Sequence, residues 1–435
     1  MQRSLNAVLV GTFTLRFSTG LTGALLAYYL ADLPKQIPPG PTVEPIVVGL
    51  FSAAFFGAEL VLSPLFGPLS DRWGYHRVMQ FGPLFGGIAV VITAFTVDLW
   101  ALGFTRVLEG ASTAASVPSI LGYIAIATAF DEQLRGKAVA RFEAATLAGI
   151  GGGLVAAGPL WTAMGRNAFL LNAVIYVGSL LIYRFGVTDP RSEHEAGDKP
   201  AYGLRRYREL LLNSHVWLLA PTWIAINAAI GLWTTQSIFQ LVHQPDPKFV
   251  DQMLMGRFDP IAISAGLGAG LLIFLAGLIY WGNKFKALRR TTIIFWGIAG
   301  GAVLIAAGVA INHSGGLSPP ITGGLAVIAI AGLFVLAGAT PAALGLLADI
   351  SEAYPHDRGA IMGLYSVFLA LGQIAGALIG GFAAEGLGID GLLVSTLVLL
   401  AVALIPLFRL RRWEHAVGFD PKTGEAPGLA PKRIR

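Results

Sequence analysis

Twelve apolar runs, each about as long as a bilayer is thick, constrain this chain more than any other feature. A spanning helix needs about 20 mostly apolar residues. Such runs lie near 5–31, 44–67, 78–97, 99–128, 138–163, 168–187, 214–242, 260–282, 291–311, 321–349, 359–386 and 389–409. Membrane strands would alternate apolar and polar residues to close a barrel, and these runs are continuous, so helices are expected throughout. Charged residues make up 13% of the chain, against roughly 25% in a soluble domain, so lipid is the expected solvent. The 55 glycines suit that reading, because small residues let membrane helices approach closely. The expected fold is an all-α membrane protein of twelve transmembrane helices in two six-helix bundles, 1–187 and 214–412. A linker at 188–213 joins them, and the Gly-, Pro- and charge-rich tail at 413–435 is expected to be disordered.

Charge fixes the expected orientation. With the N-terminus inside, 24 of the 30 Lys and Arg fall on the cytoplasmic side. Four (Lys35, Arg166, Lys248, Arg257) fall outside, and Arg16 and Arg106 lie within spans. The positive-inside rule then places both termini in the cytoplasm, with the plasma (inner) membrane as the expected location. The net charge of +5 forms no single patch, so no nucleic-acid partner is expected. The run from Leu5 to Leu30 is long enough to span and is read as a retained first helix rather than a cleaved signal. Within the linker, Leu204, Tyr207, Leu210 and Leu211 fit a short amphipathic surface helix, and a solvated basic tether fits equally well.

The chain repeats itself. Arg135-Gly136 at the start of the fifth run and Arg358-Gly359 at the start of the eleventh stand 223 residues apart. At the same offset Gly149, Gly153 and Gly158 match Gly372, Gly376 and Gly381. A weaker match relates Gly67–Gly74, after the second run, to 279–286 after the eighth, with Asn283 in the place of Asp71.

The segment Gly67-Pro-Leu-Ser-Asp71-Arg72-Trp-Gly74-Tyr75-His76-Arg77 resembles the G-x-L-a-D-r-x-G-r-k signature of the major facilitator superfamily. Tyr75 and His76 replace its two basic residues, and Arg77 falls one place late. Arg106-Val-Leu-Glu109-Gly110 is similar to that family's R-x-x-q-G element, with Glu for Gln. Gly158-Pro159 matches the antiporter-associated G-x-x-x-G-P element only loosely, since Gly153 is one residue too far away. The resemblance covers essentially the whole chain. It implies a secondary transporter working by alternating access, with a substrate site near the midplane between the halves. It also implies that Asp71 engages the start of the eleventh helix, near Gly359, and latches the cytoplasmic side. The expected gating set is Gly67, Asp71, Arg72, Gly74, Arg77, Arg135, Asp349, Arg358 and Gly359. Arg135 and Arg358 could pair with Asp71, Asp131, Asp349 or Asp357. The alternative is an Asp71 that caps a helix start within a loop that only sets topology.

Ionisable groups inside spans cost roughly 2.5–3.5 kcal/mol on insertion scales and so mark candidate sites. The first half holds Arg16, Glu59, Arg106, Glu109 and Glu143. Arg106 and Glu109, at i and i+3, share a helix face and can pair. Glu59, Glu109 and Glu143 are equal candidates for a proton carrier, and a static ion-pair network is the alternative. Arg16 fits either an anionic substrate, gripped bidentately, or an internal ion pair. The second half offers Trp223, Asn227, Trp233, Gln236, Tyr365 and Gln373. These could bind an amphipathic ligand by stacking and a few hydrogen bonds, or simply join helices. His243 is read as an outer loop residue.

The expected function is proton-coupled export of a lipophilic or amphipathic compound, by a monomer in the lipid bilayer. Uptake of an organic anion by proton symport and lipid flipping on the same scaffold are the alternatives. No enzyme is expected, since the seven histidines are scattered and no nucleophile set converges. Without cysteine there is no disulfide or thiolate site, and no metal or cofactor is expected. No phosphate-binding G-x-x-x-x-G-K-[ST] loop is present to drive transport by ATP.

Overall fold

A computed structural model describes residues 2–128, 132–188, 216–243, 247–352 and 358–417. The expected linker therefore lies outside the described residues, apart from Thr188. Six helices come first: α1 Gln2–Ala31, α2 Pro45–Trp73, α3 Phe81–Phe95, α4 Leu99–Ala127, α5 Glu132–Met164 and α6 Ala168–Gly186. Then come α7 Val216–Val242, α8 Pro260–Gly282 and α9 Arg290–Asn312. Next, α10 is in two pieces, Pro319–Leu336 and Ala339–Glu352. The final stretch, Arg358–Val417, is parted at Gly388 into α11 and α12. No strand occurs among the described residues. Nine stretches of them are long and apolar enough to cross a membrane. Two of these, Gly136–Gly186 and Ser366–Arg412, have the length of two crossings each.

Every expected run is helical where described, the tenth broken after Leu336, and most ends are shifted. At three polar boundaries the helix runs beyond the apolar run. The second helix continues past Gly67 to Trp73, the fifth begins six residues early at Glu132, and the last reaches Val417, so the tail's first residues are helical. Amphipathic side chains extend a helix beyond the bilayer core, because the backbone bonds continue once begun.

By contact the chain forms two units. The first holds α1–α6 with the last turns of α7 and the first turns of α8, and the second holds the remainder. In the first, α5 lies directly on α1. A Cβ added at Gly149 would stand 2.7 Å from the Phe13 carbonyl oxygen and 2.8 Å from Arg16 Cβ. In the second unit α11 meets α7 in the same way, Gly372 lying against Ile224 O and Asn227 Cβ. The glycine repeat read from sequence is thus a repeated helix contact inside each unit. It reveals a second correspondence: Phe13, Arg16 and Phe17 stand where Ile224, Asn227 and Ala228 stand, 211 residues later.

A polar seam joins α6 to α1. Asn172 Nδ2 donates to Thr22 Oγ1 at 2.7 Å and to the Ser18 carbonyl at 3.1 Å, and Ser179 Oγ donates to Gly11 O at 3.1 Å. At one end of the first unit, Tyr28 and Tyr29 pack on Trp161, and Tyr29 also on Phe169, with ring centroids 5.7–6.3 Å apart. Edge and offset geometries of this kind add about 0.5–1.5 kcal/mol per pair beyond burial. In the second unit the α11–α12 turn at Gly388 is clamped by Gln252. Its amide donates to Leu387 O and accepts from Ile389 N–H, each at 2.8 Å.

Candidate functional site

Of the five ionisable residues expected inside the first six helices, two form an ion pair, and the other three interact electrostatically. Arg106 and Glu109, one turn apart on α4, form a direct ion pair, and both are almost fully buried. Arg16, buried on α1, lies within Coulombic reach of Glu59 on α2 and of Glu143 on α5. Glu59 is half-buried, whereas the Glu143 side chain is open on its helix surface.

Glycines set these approaches. Gly149 brings α5 against α1 at Arg16, as above. Gly110, beside Glu109, brings α4 onto α2, and a Cβ there would stand 2.3 Å from Phe55 O and 3.1 Å from Glu59 N. Any larger side chain would push the charged residues apart, which ties the small-residue pattern of the sequence to the electrostatics of the site.

Tyr176 on α6 is a member of this cluster that the sequence reading passed over. It is fully buried, beside Thr19 and Thr22, and within Coulombic reach of both Arg106 and Arg16. A signal did exist. Asn172, Tyr176, Ser179 and Tyr183 recur at intervals of four, three and four on α6, and all are buried. That stripe marks a polar inner face.

Three of the six expected binding residues of the second half, Trp233, Gln236 and Gln373, join helices. Asn227 Nδ2 donates to the Trp223 carbonyl at 2.9 Å, one turn back on α7. Trp233 Nε1 donates to Thr396 Oγ1 at 2.8 Å, tying α7 to α12. Gln373 Oε1 accepts from Thr234 Oγ1 at 3.2 Å. Gln236, in the first unit, donates to the Pro45 carbonyl at 2.8 Å. Trp223 is buried, and Tyr365 sits in α11, its side chain outside the described set. His243 lies just past the end of α7, stacked on Phe239 at 4.7 Å. Burial lowers its pKa, and the nearby Lys35 ammonium adds to that.

The Asp71 loop corrects one expectation. Asp71 sits in the last turn of α2, which ends at Gly74, and not at a helix start. There it faces the negative end of the helix dipole, an unfavourable place for a carboxylate. Its partner is the Tyr75 hydroxyl, which donates to Oδ1. The residue that departs from the family pattern therefore supplies the contact. His76, the other departure, donates from Nε2 to the Tyr183 carbonyl at 2.9 Å and fastens the loop to α6. Arg72 and Arg77 are exposed. The side chains of Arg135, Asp349 and Arg358 and the burial of Gly359 lie outside the described set.

Gly74 ends α2 at φ 91°, a backbone conformation that side chains resist. Gly74→Ala is expected to cost about 1–3 kcal/mol, read as a lower melting temperature in detergent. Gly67→Ala, where an added Cβ meets nothing within 4 Å, is expected to change that temperature little.

A buried ion pair inside a bundle of long apolar helices marks a candidate functional interior in a membrane protein. A family model described as Major Facilitator Superfamily matches residues 8–316. The chain belongs to that superfamily, and so is a small-molecule transporter, not an enzyme. It is 24% identical over 340 residues to Multidrug resistance protein 2 of Bacillus subtilis (strain 168), covering 77% of this chain and 79% of that protein. It is 21% identical over 393 residues to Quinolone resistance protein NorA of Staphylococcus aureus (strain MRSA252), covering 88% and 90%. Among solved structures, the nucleoside transporter NupG superposes with a TM-score of 0.72 at 14% identity, covering 95% of this chain and 99% of that one. A bacterial homolog of the human lysosomal transporter Spinster, in an inward-facing and unoccupied conformation, gives 0.71 at 12%, covering 94% and 97%.

Proposed function

We propose that this chain exports a lipophilic or amphipathic compound in exchange for protons, with both termini in the cytoplasm. The arrangement that carries the reading is Arg16, within reach of two carboxylates held by different helices, Glu59 on α2 and Glu143 on α5. A carboxylate that gains and loses a cationic neighbour as helices move exchanges a proton with the two sides in turn. Glu109 is less suited, because Arg106 already holds it on the same helix. The resistance proteins among the relatives support the export direction and a greasy cargo. Trp223, Asn227, Trp233, Tyr365 and Gln373 are the second-unit residues assigned to its recognition, and Gln236 the first-unit one. The Asp71 loop, with Gly67, Arg72, Gly74 and Arg77, gates one face, and Arg135, Asp349, Arg358 and Gly359 belong to the same machinery.

The test is gradient-driven flux of a fluorescent lipophilic cation, such as ethidium, in proteoliposomes of known protein orientation. Export with proton exchange predicts accumulation into inverted vesicles that are acid inside. Replacing the carrier, Glu59→Gln or Glu143→Gln, is expected to lower that accumulation at least about tenfold, the range of removed proton-transfer groups. Energy-independent counterflow of the dye should persist in that variant. Accumulation with an inward proton gradient through right-side-out protein would overturn the exporter reading.

One observation favours uptake of an organic anion as the second reading. Arg106 Nε is buried and has no hydrogen-bond partner among the described residues, leaving a donor for a carboxylate. Lipid flipping is separated from both by headgroup accessibility in vesicles, which flipping alone would change.

A further inference from the structure

Two grooves, one in each unit, occupy positions related by the internal repeat. The first lies where α3 begins and α6 ends, with a volume near 660 Å³. Its polar wall is His76, Arg77 and Arg184, and its apolar wall is Phe81, Leu84 and Leu180. The second lies where α9 begins and α12 ends, with a volume near 510 Å³, and is lined by Arg289, Phe295, Phe408, Arg411 and Arg412. Arg289 stands 212 residues after Arg77, the offset that also relates Asp71 to Asn283. The two halves differ throughout their interiors, yet both keep arginines above aromatic side chains at this place.

The surroundings say what such a groove receives. Arg77 and Arg184 are exposed, and among the described residues no carboxylate pairs with either. Arg411 and Arg412 are exposed as well. Leu84 is 41% exposed and Phe408 53%, so the apolar walls open outward. Phe295 and Phe408 form that wall edge to face, with centroids 5.7 Å apart. By chain order, all four helix ends fall on the membrane face where Lys and Arg concentrate. Cations at the end of a span, with an apolar wall running into it, match a phosphodiester joined to acyl chains. A guanidinium grips such a phosphate with two parallel bonds.

We propose that each groove is a binding site for an anionic glycerophospholipid of the cytoplasmic leaflet, its phosphate held by Arg77 and Arg184 in one and by Arg411 and Arg412 in the other. The lipid is a resident ligand of the outer wall, not the transported compound. The site rests on helix order and charge and does not depend on the cargo or the coupling ion.

Native mass spectrometry of the full chain in mild detergent tests this, with phosphatidylglycerol and phosphatidylcholine of equal chain length offered together. Up to two phosphatidylglycerol molecules should be retained, favoured at least tenfold over phosphatidylcholine. Each basic side chain near an anionic lipid surface contributes about fivefold, so Arg77→Gln with Arg184→Gln should weaken one site about 25-fold. Arg411→Gln with Arg412→Gln should weaken the other by a similar factor, and the fourfold variant both. Lys137→Gln with Arg141→Gln, an equal loss of exposed charge on α5, should keep both lipids. Equal retention of the two lipids by the unaltered chain, a measurement that needs no variant, overturns the proposal. So does equal loss of phosphatidylglycerol in the α5 pair, which would mark diffuse surface charge.

Discussion

Glu109→Ala is expected to destabilise the first unit by about 3–5 kcal/mol, the cost of stripping one partner from a buried ion pair. Glu109 is 2% exposed and Arg106 5%, so neither water nor an alternative rotamer can readily take the missing partner's place. The guanidinium would be left in low dielectric with Tyr176 as its main polar neighbour. Thermal unfolding in detergent should fall by roughly 10 °C, from the usual 2–4 °C per kcal/mol for a unit of this size. The double variant Arg106→Met with Glu109→Leu should recover most of the loss, because it removes both charges and keeps the volume. A Glu109→Ala protein as stable as the parent would mean that Arg106 has found another partner, and the ion pair would lose its structural role.

That pair was readable from spacing alone, since residues three apart on one helix face each other. The spans were readable for a related reason: a run's length against the bilayer is a one-dimensional property. Arg16 with Glu59 and Glu143 could be named as candidates, but their grouping depends on which helices touch. Gly149 and Gly110 decide that, and a glycine's partner is not written in its own sequence neighbourhood. The candidate binding residues on α7 show the same gap. Spacing along α7 could not show that Trp233 reaches Thr396 on α12. Nor could it show that Gln236 reaches the Pro45 carbonyl. The capping alternative for Asp71 fails on where α2 ends. Gly67 is in fact inside α2, and only Gly74 has the positive φ that ends a helix.

The correspondence of Arg16 with Asn227 escaped the sequence for two physical reasons. The offset between α1 and α7 is 211 residues, whereas that between α5 and α11 is 223, so no single shift aligns both pairs. Their side chains have also diverged from a cation to an amide, and only the backbone contact is kept. The scaffold repeats, while what it presents to the interior does not.

Gly153→Val and Gly376→Val should therefore fail alike as structure and differently as function. A Cβ at Gly153 would stand 2.2 Å from Phe17 O and 2.5 Å from Leu21 N. At Gly376 it would stand 2.2 Å from Ala228 O and 2.8 Å from Leu232 N. The obstructing atoms are backbone in every case, so no rotamer relieves them and the helices must part. Each substitution is expected to cost about 3 kcal/mol, the upper end for overpacking, and to lower the melting temperature in detergent by similar amounts. Gly178→Val, with nothing within 4 Å of the added Cβ, is the control and should leave that temperature nearly unchanged. Parting α5 from α1 separates Glu143 from Arg16, so the Gly153 variant should lose gradient-driven flux while still exchanging substrate. Parting α11 from α7 disturbs Asn227 and Gln373, which carry no charge. The Gly376 variant should bind substrate more weakly yet keep its response to the proton gradient. If both variants lose gradient response equally, coupling is not confined to the charged half, and the asymmetry between Arg16 and Asn227 has no part in it.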